Sequence, residues 1–248
     1  MRFKLDHHNK ILTILESFNQ DLLNESFAYF GGGTLITLNF EEYRWSKDVD
    51  FICPVSTSGY KNLRTAIYDG GHKALFSDLT QIKVGHGTTD QYGIRMLVSI
   101  GDLRIKTEII AEARFELDPP RYLEWTTVPC LSLNDCFTSK LLANSDRYMD
   151  SSVEARDLID LSVLRLHSPI PPSAIDKAEN AYEVMRPLEE AVKRFQEKPD
   201  LRDKYFNGLQ IDGIHIPKII DGIDLLAEDL GLDNTERTFQ EKHNPHGF

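Results

Sequence analysis

No stretch of this 248-residue chain approaches the run of about 20 apolar residues that a bilayer-crossing helix needs. The first residues likewise lack the apolar core of a secretory signal. Cysteine is scarce. Cys53, Cys130 and Cys136 show no metal-type pair spacing and cannot all pair with one another, so reduced thiols in a cytoplasm are expected. Positive charge is short too, with 28 Lys and Arg against 39 Asp and Glu and a formal net charge of -11. Such a chain is not a general nucleic-acid coat, because non-specific binding depends on neutralising phosphates. It could still hold a nucleotide, or one structured RNA on a local basic face. A glycine run at Gly31 to Gly33 has no GxGxxG spacing and no following Gly-Lys-Ser/Thr, so neither a dinucleotide fold nor a P-loop is supported.

What is present is ordinary globular material, 41% hydrophobic and 27% charged. Ile11, Leu12, Ile14, Leu15, Phe18, Leu22 and Leu23 recur at helical spacing and predict one opening amphipathic helix. Strands are predicted over 27–30, 49–55, 82–84, 94–100 and 103–110, with a tight turn at Gly101-Asp102 joining the last two as a hairpin. Helices are predicted over 34–40 and 58–68. From Leu133 onward the pattern is mostly helical, punctuated by prolines at 169, 171, 172, 199 and 217. There is no internal repeat. The expectation is an α+β fold with two domains, residues 1–128 around a small mixed sheet and 129–248 helical.

Chemistry concentrates between Phe27 and Phe51. A strand, a glycine turn and a helix start can bring backbone N–H groups close to a phosphate, with the positive end of the helix behind them. Alone, such a turn is most often only a turn. Asp48 and Asp50 are two apart, so in a strand they share a face while Val49 and Phe51 turn to the core. Paired carboxylates suit Mg²⁺, which takes one or two of them and fills its other positions with phosphate oxygens and water. A lone pair of this kind is more often a solvated strand edge. Glu108, set among apolar residues late in the strand over 103–110, is a candidate third acid. Three converging carboxylates would suit two metal ions in phosphoryl transfer.

The order of these motifs resembles the polymerase-β-like nucleotidyltransferase superfamily, and within it the AbiEii/AbiGii-type toxins. Phe30 to Thr34 is similar to that family's aromatic-Gly-Gly-Thr segment, with one extra glycine. Arg44 to Phe51 is similar to its Arg-x-Ser-x-Asp-hydrophobic-Asp-Phe segment. Ser139-Lys140-Leu141-Leu142-Ala143 and Arg156-Asp157-Leu158-Ile159-Asp160-Leu161 resemble its later helical motifs. The likeness covers roughly Phe27 to Leu164. It implies transfer of a nucleoside monophosphate from an NTP, with Mg²⁺ held by Asp48, Asp50 and Glu108. It implies a phosphate contact from Lys140 with Asp157 behind it, and a triphosphate cradle of Gly32, Gly33 and Thr34. Arg44, Ser46 and Lys47 become helpers on the nucleotide.

The resemblance also admits tRNA as acceptor and a cognate antitoxin as partner. Small molecules and proteins are rival acceptors, and a nucleotide-binding subunit without turnover is an alternative from a different class. Without the family likeness, Lys140 and Asp157 would read as solvated helix faces, or Asp157 as the partner of a neighbouring arginine. His7 and His8, with His243 and His246, are read as residues of mobile termini rather than ligands. Trp45 and Trp125 are read as core or rim aromatics.

Overall fold

A computed structural model describes residues 2–238 and 241, which leaves His243 and His246 outside it. The chain divides into two compact units. One comprises Met1–Leu38 and Ser46–Leu133; the other comprises Asn39–Trp45 and Asn134–Phe248.

The first unit is built on a five-stranded mixed sheet. Its strands are β1 (Tyr29–Phe30), β2 (Val49–Pro54), β3 (Lys83–Thr89), β4 (Gly93–Ile100) and β5 (Leu103–Glu112), in the order β1-β2-β5-β4-β3. β2 and β5 run parallel and the remaining pairs are antiparallel. One face of the sheet is sealed. Phe51, Ile94, Met96, Val98, Ile105 and Ile109 are buried there, and alternate residues such as Leu97, Lys106 and Ile110 point to the open side. Phe51 packs against Phe18 and Phe30, with ring centroids 4.8 and 5.7 Å apart. Helices α1 (Asp6–Ser17), α2 (Gln20–Glu25) and α4 (Gly59–Gly70) belong to this unit, and α3 (Gly32–Asn39) starts in it.

Two expectations are corrected here. The opening helix is two helices, because Asn19 caps α2 by accepting from the Leu22 N–H at 3.1 Å while Phe18 takes extended backbone and bridges to Phe76. The apolar spacing runs across the break because residues on both sides of it are buried. The third strand is longer than its apolar residues suggest. It runs to Thr89 as an edge strand, with a bulge between Val84 and Gly87, and edge strands need no apolar alternation.

The second unit is helical, with α5 (Leu133–Arg147), α6 (Arg156–His167), α7 (Pro172–Glu179), α8 (Met185–Glu197), α9 (Pro199–Gly208) and α10 (Ile216–Asp229). α6 carries an unbroken buried run from Asp157 to Leu164, so it is central rather than amphipathic. α10 lies against it through Gly222, where a Cβ would come within 2.3 Å of the Ser162 carbonyl oxygen. No described helix is long and apolar enough to cross a membrane.

Candidate active site

In the sheet unit, β2 enters beside the glycine turn. The Gly31 N–H donates to the Asp50 carbonyl at 2.8 Å, which fixes the turn against the strand. Gly32 has φ +67°, and a Cβ there would stand 2.7 Å from Asp50 Oδ2. Glycine is therefore required twice over, for its backbone and for the room it leaves the carboxylate. Thr34 is buried; its hydroxyl donates to the Asp48 carbonyl at 2.6 Å and lies 2.7 Å from the buried Ser46 hydroxyl. Both hydroxyls are thus engaged in holding the segment that delivers Asp48. Gly33 is the second residue of α3, and Lys47 is exposed beside Asp48.

Asp50 is the register partner of Glu108 in the parallel β2–β5 pair. Their neighbours Val49, Phe51, Thr107 and Ile109 are all buried, so the two carboxylates share the open face, on strands about 4.8 Å apart. Glu108 is ion-paired with Arg95 Nε at 3.3 Å and with Lys106. Asp48 lies one residue before β2. An all-carboxylate, all-oxygen donor set fits a hard divalent cation. Among the described residues, however, no three acids are gathered tightly enough to ligate one ion. The donor chemistry suits such a cation, and Asp50 and Glu108, paired in register, supply two carboxylates on one face.

His7 and His8 do not behave as mobile terminal residues. His8 is fully buried and its Nε2 accepts from the Ser46 N–H at 3.3 Å, while His7 Nε2 lies 3.2 Å from the Lys47 carbonyl. α1 thereby braces the backbone on which Asp48 sits. The signal in sequence is the helical register of His8 with Ile11 and Leu15. Of the cysteines, all three are buried and free, and burial pushes the Cys53 thiol up to about 12. That excludes it as a nucleophile at neutral pH.

The helical unit holds a second cluster, this one of charges. Lys140 Nζ reaches Asp157 at 2.9 Å and Asp160 at 2.5 Å. Arg147 binds Asp157 through two contacts of 2.6 and 2.9 Å. Arg44, also buried, grips Asp160 in a bidentate pair at 2.7 and 2.9 Å, and the Tyr43 hydroxyl donates to the same carboxylate at 2.5 Å. Burial opposes ionisation of both aspartates, yet Lys140 and Arg147 hold Asp157 well below the usual carboxylate range. Arg44 and Lys140 lower Asp160 in the same way. For Arg44 the cost of burial is outweighed by Asp160, so its guanidinium stays charged.

Arg147, the most exposed of the three cations, also feels Asp146, so three cations face three carboxylates here. Sequence reasoning placed Lys140 and Asp157 but gave no site role to Tyr43, Arg147 or Asp160. The spacing Lys140, Asn144, Arg147 on α5 and Asp157, Asp160 on α6 was the available signal.

The sequence model of a family described as nucleotidyl transferase AbiEii toxin, type IV toxin–antitoxin system, matches residues 13–235. The chain belongs to the AbiEii nucleotidyltransferase toxin family. As a member it is a transferase of the nucleotidyltransferase class. No curated protein matches the chain. Among solved structures, a Helicobacter pylori protein classed as a nucleotidyltransferase is similar with a TM-score of 0.52 and 18% identity, over 90% of this chain and 95% of that one. JHP933 from Helicobacter pylori is similar with a TM-score of 0.51 and 18% identity, over 90% and 92%. At such identities the likeness concerns the fold, which is the α+β nucleotidyltransferase architecture expected from sequence.

Proposed function

We propose that this AbiEii-family chain moves a nucleoside monophosphate from an NTP to tRNA in a Mg²⁺-dependent reaction, as the toxin of a toxin–antitoxin pair. The observation that carries the proposal is the register pairing of Asp50 with Glu108, beside a glycine turn that approaches Asp50 as only glycine can. Asp48 and Asp50 would hold Mg²⁺, with Glu108 as the third carboxylate. When bound, the cation neutralises phosphate charge and acidifies the attacking hydroxyl. The chain's own backbone does the rest of the positioning in this unit: N–H groups at the start of α3 receive the triphosphate, and Thr34, Ser46 and His8 hold Asp48 in place.

Lys140 remains the proposed phosphate contact; it is buried and held by Asp157 and Asp160, so a phosphate would compete with these carboxylates for it. Arg44 is bound to Asp160, so any help it gives the nucleotide is through that cluster. Family membership supports a cognate antitoxin as partner. Three buried free thiols accord with a reducing, cytoplasmic setting.

The test is pyrophosphate release from each NTP with Mg²⁺, with and without total tRNA, beside an Asp50→Ala control. Release that needs the metal, tRNA and Asp50 supports the proposal. Undiminished release by the variant overturns it. NTP binding without any release favours the reading as a silent regulatory subunit.

A further inference from the structure

On α5, Lys140, Asn144 and Arg147 share one helix face, spaced four and three residues apart. Asn144 is 2% exposed, and its side-chain amide nitrogen has no hydrogen-bond partner among the described residues. Burying a donor in this way gives up its hydration and returns nothing. A local remedy is common on helices. Asn9 and Asn24 donate to the carbonyl four residues back, Leu5 at 3.0 Å and Gln20 at 2.9 Å. The corresponding carbonyl for Asn144 is that of Lys140, and the amide does not use it.

Its two flanking cations show what Asn144 faces. Lys140 binds Asp157 at 2.9 Å, and Arg147 binds it at 2.6 and 2.9 Å. Those cations are two helical turns apart, about 10 Å along the axis. A carboxylate that both of them reach lies across the middle of that span, where Asn144 stands. A carboxylate offers about four acceptor positions, and here Lys140 takes one and Arg147 two. Asn144 is the spare donor of the cluster.

The proposed phosphate contact of Lys140 gives a spare donor its use. A phosphate that draws the ammonium toward itself removes a hydrogen bond from each aspartate that holds it. Asp160 keeps three donors, two from Arg44 and one from Tyr43. Asp157 keeps only those of Arg147, and at 2% exposure it cannot recover the loss from water.

We infer that Asn144 is a positioning residue that replaces Lys140 at Asp157, its side-chain N–H donating to the carboxylate when Lys140 turns to a phosphate. One hydrogen bond takes the place of another, so releasing the lysine costs less and the substrate binds more tightly. The inference rests on the reading of Lys140 as a phosphate contact.

The experiment measures binding of each NTP with Mg²⁺ by isothermal titration calorimetry. Wild-type protein is compared with Asn144→Leu, Asn144→Ala, Lys140→Met and the double variant Lys140→Met, Asn144→Leu, with melting curves to establish that each is folded. Asn144→Leu matches the amide in shape and should bind NTP at least about ten-fold more weakly, the loss expected of one hydrogen bond to a charged group. Asn144→Ala, which cannot overpack, should show the same loss. In the Lys140→Met background, Asn144→Leu should change affinity by less than about two-fold, because Asp157 then uses the amide in both free and bound protein. A residue that serves only the fold would lower the melting temperature and leave affinity unchanged. Unchanged affinity in both Asn144 variants, or a ten-fold loss that persists in the Lys140→Met background, overturns the inference. If Lys140→Met binds NTP as wild type does, or wild type binds none, the phosphate reading of Lys140 falls with it. If Lys140→Met binds weakly while both Asn144 variants bind normally, the role of Asn144 alone falls.

Discussion

Asp160→Asn offers the sharpest test of the charge cluster, because it alters one atom type and leaves the shape. Asp160 is fully buried and receives Arg44 through two contacts, Lys140 through one and Tyr43 through one. Removing its charge leaves the buried Arg44 guanidinium without a counter-charge, whereas Lys140 keeps Asp157. Breaking a buried pair in this way costs about 3–5 kcal/mol, a large share of the roughly 5–15 kcal/mol that holds a folded protein together. For a chain of this size that corresponds to a fall in melting temperature of about 6–20 °C. Arg44→Met should cost less, because Asp160 would retain Lys140 and the Tyr43 hydroxyl. Replacing both together, Arg44→Met with Asp160→Leu, should recover part of the loss. Urea unfolding followed by circular dichroism reads all three variants. A loss below about 1 kcal/mol for Asp160→Asn, or a larger loss for Arg44→Met, would refute the view that Asp160 is the hub.

Other outcomes follow from the same geometry. Acid should weaken the fold. Asp157 and Asp160 are depressed in the folded chain, so their contribution is complete above the unfolded value near pH 4 and is lost as pH falls below it. Melting curves between pH 3 and 8 check this, and a loss centred near neutrality would contradict it. Gly32→Ala should cost at least about 1 kcal/mol in backbone strain and push Asp50 aside, lowering transfer more than stability; equal transfer with equal stability would refute the close approach. Asp50→Ala should reduce pyrophosphate release by more than about 100-fold with the fold intact, measured against the wild-type rate. Thr107→Val should raise stability by about 1 kcal/mol, because its buried hydroxyl has no hydrogen-bond partner; a fall in the urea midpoint would show that it has one.

The glycine turn, the strand carrying Asp50 and the hairpin carrying Glu108 were legible because each depends on local rules; a site role for these acids came only from the family likeness. Glycines mark a turn, alternation sets faces within a strand, and a Gly-Asp pair closes a hairpin. While Lys140 and Asp157 stood out only through the family likeness, the same rules marked the chain from Leu133 onward as helical. They did not separate α1 from α2, because apolar spacing persisted across the break at Phe18 and Asn19. They misjudged His7 and His8, because a histidine near a chain end looks solvated until a distant segment, here Ser46–Lys47, is laid against it.

What sequence by itself determined was the inventory: an acidic, thiol-poor chain with a carboxylate-bearing front half and a helical back half. Tertiary structure alone decided which of these residues meet. It set Asp50 opposite Glu108, 58 positions further along the chain, through a parallel pairing of their strands. It also moved Asn39–Trp45 into the helical unit, so that Arg44 answers to Asp160, 116 residues away, and not to its neighbour Ser46. Local patterns fix the direction a side chain faces along its own element. Partners across the fold are chosen by burial, where an unpaired charge is too costly to leave and only another part of the chain can neutralise it.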